Sequence, residues 1–195
     1  MAKSRATSAR TLVALLRAVN VGGTGKLAMR DLALLCTRAG FTDVRTYIQS
    51  GNVVFSSSST NLAELTRKIE RMLRTTFAHY DASVVIRSRT QMRAIVDRAP
   101  KRFGTQPDLY RYDVIFLKPP LTAKTALKSL SMKEGVDRGW AANGVLYFSR
   151  LTSRATSSRL NRIVGMPIYQ QMTIRNWNTT TKLLALMDAA VTSSA

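Results

Sequence analysis

The chain has one cysteine, Cys36, and one histidine, His79, in 195 residues. The first excludes an intramolecular disulfide and any multi-cysteine zinc site. The second excludes every constellation that needs two histidines. No apolar run approaches the roughly 20 residues needed to span a bilayer. There is no GxSxG elbow and no HExxH pair. Acids are scarce: eleven Asp and Glu stand against thirty Lys and Arg, a formal charge of +19. The nearest carboxylate pair, Glu134 and Asp137, flanks Gly135 in a turn-like segment without a further acid close in sequence. Neither a metal site nor a cofactor is expected from these residues. Cys36 falls on the apolar face of a helix and reads as a buried, inert thiol. His79 follows a helix end, where the helix C-terminus favours a surface histidine.

What is present is an ordinary globular mixture, 45% hydrophobic and 21% charged. The positive charge is spread evenly, at +6, +4, +5 and +4 over residues 1–55, 56–100, 101–150 and 151–195. A dedicated nucleic-acid surface often shows as a basic tail, helix or stripe; this is a bias of the whole chain. Arg outnumbers Lys 21 to 9, which compositional drift of a genome also produces. The charge supports an anionic small molecule or nucleic acid as partner without placing it. Residues 1–10 read as a flexible basic arm. The apolar run after it is broken by Arg17 before signal-peptide length, and no small-residue cleavage site follows. A cytoplasmic protein that meets no membrane is the expectation; oligomeric state is not legible.

The periodicities give an α+β chain. Residues 11–19 read as a strand that runs into a Gly-rich loop at residues 20–26. Met29, Leu32, Leu35, Cys36 and Ala39 recur at helical spacing, and Gly40 supplies a left-handed stop. Residues 44–49 and 52–55 form two strands over a two-residue Ser50-Gly51 turn. Asn61 with Glu64 starts a helix to about Phe77, and a strand follows at residues 83–87. The order β-α-β-β-α-β is ferredoxin-like. Residues 90–99 make a connecting helix. A similar order then follows: a strand at 111–117, a helix at 122–130, a hairpin of 136–141 with 145–149, a short helix at 158–164 and a strand at 170–176. A last helix at 179–191 takes Asn178 as its N-cap. The expected division is a ferredoxin-like subdomain at 11–88 and a second α+β subdomain at 89–192, read as a second split βαβ unit. The halves share no residue-level repeat.

Two segments stand out chemically. The loop Asn20-Val-Gly-Gly-Thr-Gly-Lys26 lets backbone N–H groups approach an anion at a helix start, with Lys26 adding charge. It is neither a Walker loop, since position 20 is Asn and position 27 is Leu, nor a dinucleotide fingerprint. Arg17 sits in an apolar strand just before it, where a charge needs a partner, a ligand or an exposed face. Arg175-Asn176-Trp177-Asn178 places a guanidinium, two amides and an indole where the last helix begins. A cap, a turn and a core anchor are the plainer roles for the same residues. Arg17, Asn20, Gly22, Gly23, Lys26, Arg175 and Asn176 form the candidate ligand-binding set, with no catalytic residue assigned. RNA-recognition sheets carry stacking aromatics on their first and third strands. The first strand here has none and the third has only Phe55, so that mode is disfavoured.

ALLRAVNVGG (residues 14–23), TYIQSGNVVF (46–55) and TIRNWNT (173–179) with Lys182 and Leu183 together resemble the family of domain of unknown function 1697 (DUF1697). The resemblance spans nearly the whole chain. It implies a bacterial protein with a ferredoxin-like subdomain and further α+β structure, and it supplies no reaction, substrate or cofactor. Ala18 stands where the family usually has Gly. The expected function is binding of an anionic ligand, a phosphorylated metabolite or a nucleic-acid backbone. The alternatives are an enzyme acting on a phosphate-containing substrate, with Arg17, Lys26 and Arg175 giving electrostatic stabilisation, and an assembly module without a ligand.

Overall fold

The structure, a computed structural model, describes residues 9–17, 19, 27–77, 80 and 82–192. The chain divides into two compact units, one reaching to Gln91 and resuming at Ala185, the other Met92–Leu184.

In the first unit the elements run β1 (Arg10–Leu16), α1 (Met29–Arg38), β2 (Thr42–Tyr47), β3 (Asn52–Ser57), α2 (Leu62–Thr76) and β4 (Val84–Ser88). The sheet has the order β2-β3-β1-β4 with every neighbouring pair antiparallel. That is the ferredoxin-like arrangement the sequence order predicts. Alternate residues Leu12, Ala14, Leu16, Val53, Phe55, Val84 and Ile86 meet Leu32 and Cys36 of α1 and Leu65, Ile69 and Leu73 of α2. Their neighbours Val13, Leu15, Val54 and Val85 face the other way and are buried as well. A strand covered on both faces reads as a continuous apolar run, which is why residues 12–16 show no alternation. The start of α2 is capped as expected, Asn61 Oδ1 accepting from the Glu64 N–H at 3.1 Å.

Two local expectations are corrected. β1 ends at Leu16 rather than at residue 19, so Arg17 follows the strand instead of lying inside it. The Arg17 N–H donates to the Ser83 carbonyl at 2.9 Å. The β2–β3 turn spans the four residues 48–51, not two. Asn52, fully buried, closes it by donating Nδ2 to the Tyr47 carbonyl and to Ser50 Oγ, each at 3.0 Å.

The connecting helix α3 (Arg89–Asp97) leads to β5 (Tyr110–Leu117), α4 (Ala123–Ser129), β6 (Asp137–Ala142), β7 (Val145–Leu151) and β8 (Met172–Asn176). The sheet order β6-β7-β5-β8 reproduces that of the first unit, again antiparallel throughout. On one face Ile115, Leu117, Leu146, Phe148 and Met172 pack with Ala126, Leu130, Leu160 and Ile163. On the other, the Tyr147 hydroxyl donates to the Ile95 carbonyl of α3 at 2.6 Å.

Where the first unit has α2, the second has three 3-10 turns, Thr152–Ser157, Arg159–Gly165 and Pro167–Gln171. The short helix expected at 158–164 is therefore 3-10. Gly165 and Pro167 interrupt the segment, and its start is held from outside. Asp137 Oδ2 accepts from the Lys133 and Arg159 N–H groups at 3.0 and 2.9 Å. The last helix, α5 (Trp177–Thr192), begins two residues earlier than expected. Asn176, not Asn178, is its cap, Oδ1 accepting from the Thr179 N–H at 2.7 Å.

Candidate functional site

Of the seven residues singled out in the sequence, Asn20, Gly22, Gly23 and Lys26 lie outside the described residues. Arg17, in the first unit, is partly exposed, and its carbonyl accepts from the Tyr80 hydroxyl. Arg175 and Asn176 belong to the second unit. Arg175 is buried on β8, where Nη1 donates to Thr173 Oγ1 at 3.0 Å and to the Ile174 carbonyl at 2.7 Å. Asn176 is exposed; besides capping α5 it lines a cleft.

That cleft follows from the sheet register. β7 pairs with β5 along its whole length, from Tyr110 to Phe116. β8 pairs with it only from Asp113 to Leu117, because the chain turns into α5 after Asn176. Residues 110–112 therefore have a strand on one side and, on the other, a cleft of about 330 Å³. Strand alternation sends Tyr110 and Tyr112 to one face and Arg111 and Asp113 to the other. The cleft is lined by all four, together with Arg150, Asn176, Trp177 and Asn178.

Charge in it is unevenly balanced. Arg111 and Arg150 stand directly opposite each other on β5 and β7, a like-charge arrangement that is unfavourable by itself. Asp113 relieves it, with Oδ2 lying 3.2 Å from Arg150 Nη2. Arg150 also donates Nη1 to Asn161 Oδ1 at 3.1 Å. Burial pushes the Asp113 carboxyl above the usual carboxylate range, and the nearby Arg150 and Arg111 pull it back only in part. Two guanidinium groups thus share one carboxylate that burial disfavours in its charged form.

A second, smaller cleft of about 180 Å³ shares Tyr110 and Tyr112 with the first. Arg138, Ser149 and Tyr112 stand in one register row across β6, β7 and β5 and all line it, with Lys101, Arg102 and Trp140. Phe103, which is 8% exposed, lines the smaller cleft and packs against Trp177 of the larger one. Its ring meets Tyr112, Trp140 and Trp177 edge-on at centroid distances of 4.9, 6.1 and 5.2 Å, and Tyr110 lies 6.1 Å from Tyr112. A buried ring that fixes half-buried rings around it makes a rigid aromatic platform. Gly104 permits the Trp177 position: a Cβ there would lie 2.3 Å from the indole.

Sequence reasoning tested aromatics on the first unit's strands and not on β5, their counterpart in the second. The signal available was Tyr110-Arg-Tyr112 opening a strand, with Arg138 and Trp140 two apart on β6. Among the described residues no group of three or more His, Cys, Asp or Glu side chains is placed to hold a metal, and no helix is long and apolar enough to cross a membrane.

Fold and register define an α+β protein with two ferredoxin-like sheets of the same strand order. The family model described as "Protein of unknown function (DUF1697)" matches residues 9–147, and the chain belongs to that family. No curated protein matches it. Among solved structures it is similar to the conserved bacterial protein SP0830 from Streptococcus pneumoniae, at 22% identity and a TM-score of 0.78, over 93% of this chain and 99% of that one. This likeness is one of fold.

Proposed function

We propose that this protein binds an anionic ligand and that the larger cleft of the second unit is the place. The observation that carries the reading is the pair Arg111 and Arg150, opposed across two strands and lining one cleft with Asp113 as the only carboxylate among its lining residues. Asp113 offsets at most one of the two positive charges, and an anion between the guanidinium groups removes the remaining repulsion. Asn176 and the first turn of α5 add N–H groups at the same rim, where a helix start favours negative charge. Arg17 with Asn20, Gly22, Gly23 and Lys26 is proposed as a separate anion contact of the first unit; Arg175 stands beside Asn176 in the chain and supports the cleft from within its sheet.

Calorimetric titration with inorganic tripolyphosphate tests it. Arg111 is the clean probe, because it is exposed while Arg150 is tied to Asp113. Arg111→Ala is expected to weaken binding about tenfold, the loss of one charge-assisted contact. Arg17→Ala, run alongside, reads whether the first unit contributes. No heat with the unmodified protein at low salt refutes the reading.

A further inference from the structure

The anion cleft opens onto aromatic rings, and a phosphate group has no use for them. We infer that the ligand is a single-stranded nucleic acid, its backbone held by the arginines and its bases stacked on Tyr110, Tyr112 and Trp140; this rests on the anionic reading above and narrows it. Three observations converge. The two clefts share Tyr110 and Tyr112 at the edge of β5 that β8 leaves open, with Arg138 and Trp140 on the tyrosines' face of the sheet and Arg111 and Arg150 on the other. Their lining carries Lys101, Arg102, Arg111, Arg138 and Arg150 against Asp113, the charge complement of a phosphodiester chain. The half-buried rings of Tyr112 and Trp140 pack on the buried Phe103 and Tyr110 leans on Tyr112, so a base meets a platform already in place and little ordering is required. Every base has a π-face, so rings alternating with cations take unpaired strands of many sequences. Paired bases present no such face, and a duplex reaches only the cations.

Both tryptophans of the chain, Trp140 and Trp177, line these clefts, so selectively excited tryptophan emission reports on them. The experiment titrates the full chain with an oligothymidylate of about 12 nucleotides, a duplex of the same length, and inorganic polyphosphate. It reads tryptophan quenching together with anisotropy of the labelled oligomer, at several salt concentrations. The oligothymidylate is expected to bind and quench, polyphosphate to compete without quenching, and affinity to fall as salt rises. Tyr110→Ala is expected to weaken the oligomer about tenfold and polyphosphate much less, while Tyr110→Phe stays near the unmodified value. Arg138→Ala weakens both and lowers the salt slope by about one. An oligouridylate arm separates ribose from deoxyribose preference, and a preference of either kind with quenching supports the inference. If polyphosphate binds but the oligomer neither quenches nor responds to Tyr110→Ala, stacking is wrong and the anionic reading survives. If the duplex binds as tightly as the single strand, single-strand recognition is wrong. If no anion binds at low salt, both fall. Quenching of the unmodified protein decides the matter even where Tyr110→Ala disturbs folding.

Discussion

Arg87 and Arg175 hold the same position in two sheets. Each follows an isoleucine on the edge strand of its unit, β4 or β8, and each stands opposite a valine of the neighbouring strand, Val13 or Val114. Each also turns Nη1 back onto the carbonyl of its preceding isoleucine, at 2.9 Å in Arg87 and 2.7 Å in Arg175. Both are buried, and burial brings the Arg87 guanidinium down to about 10. The repeat that the sequence hides at residue level is therefore present at register level. A guanidinium suits the position because its long apolar stem covers the sheet while its fork reaches a backbone oxygen.

Arg87→Ala and Arg175→Ala are each expected to destabilise by about 2 kcal/mol, through lost packing and a charged hydrogen bond withdrawn from a buried carbonyl. Lysine at either site does not restore the loss, since its compact ammonium is more strongly hydrated than a guanidinium and costs more to bury. Urea melts of the four variants check this. Equal losses at the two positions support a shared structural role. A Lys variant as stable as the native chain contradicts the account.

Cys36 is 1% exposed beneath α1, and burial raises its thiol to about 12. At about pH 8 the thiolate fraction is then on the order of one in ten thousand, and reagent cannot reach it. A thiol-reactive dye is expected to label the chain only at the rate of unfolding. Labelling within seconds under native conditions refutes the buried assignment, whereas labelling in urea that follows the melt supports it.

The first unit was largely legible because its signals are local. Asn61 and Glu64 lie three apart, the apolar positions of α2 repeat along one helix, and residues 12–16 form a buried strand's unbroken run. Where a distant partner decides, the sequence was silent. The 3-10 turn at Arg159–Gly165 is anchored by Asp137, 22 positions away, and reading Asp137 as half of a carboxylate pair missed that role. The larger cleft exists because β8 stops in register with Asp113, and register is a property of two strands together. Arg111 and Arg150 are 39 residues apart in sequence and become opposed only through the pairing of β5 with β7. The sequence offers both Asn176 and Asn178 as caps for the last helix, and the end of β8 at Asn176 decides for the first.

Asp113 fixes a pH dependence. Its folded carboxyl titrates above its ordinary value of 3.8, burial being the larger cause and Arg150 and Arg111 opposing it. The folded state therefore keeps this proton longer than the unfolded chain. The stability it contributes is full below about 3.8 and is lost as pH rises through the raised folded value. Asp113→Asn removes that loss while keeping the shape. Denaturant melts of both proteins from about pH 3.5 to 7 are expected to show the native chain losing ground to the variant as pH rises. A native chain that gains instead means that attraction to Arg150 and Arg111 outweighs burial.

Gly104 and Trp177 give the most direct handle on the clefts. Gly104 has φ +83°, and a Cβ added there meets Trp177 Cδ1 and Nε1 at 2.3 Å. Gly135 has a similar φ of +68° with nothing within 4 Å of an added Cβ. Alanine at Gly135 therefore pays only for the left-handed backbone, roughly 1 to 2 kcal/mol. Alanine at Gly104 carries the same backbone term and must also push the indole off Phe103, costing about 1 to 3 kcal/mol more. The displaced ring moves at the rim of the larger cleft, so Gly104→Ala is expected to shift tryptophan emission and weaken tripolyphosphate binding, while Gly135→Ala does neither. Melting curves with emission spectra separate the two terms. Equal losses in the two variants, with unchanged emission in both, show that the indole is free to move and that the aromatic platform is not rigid.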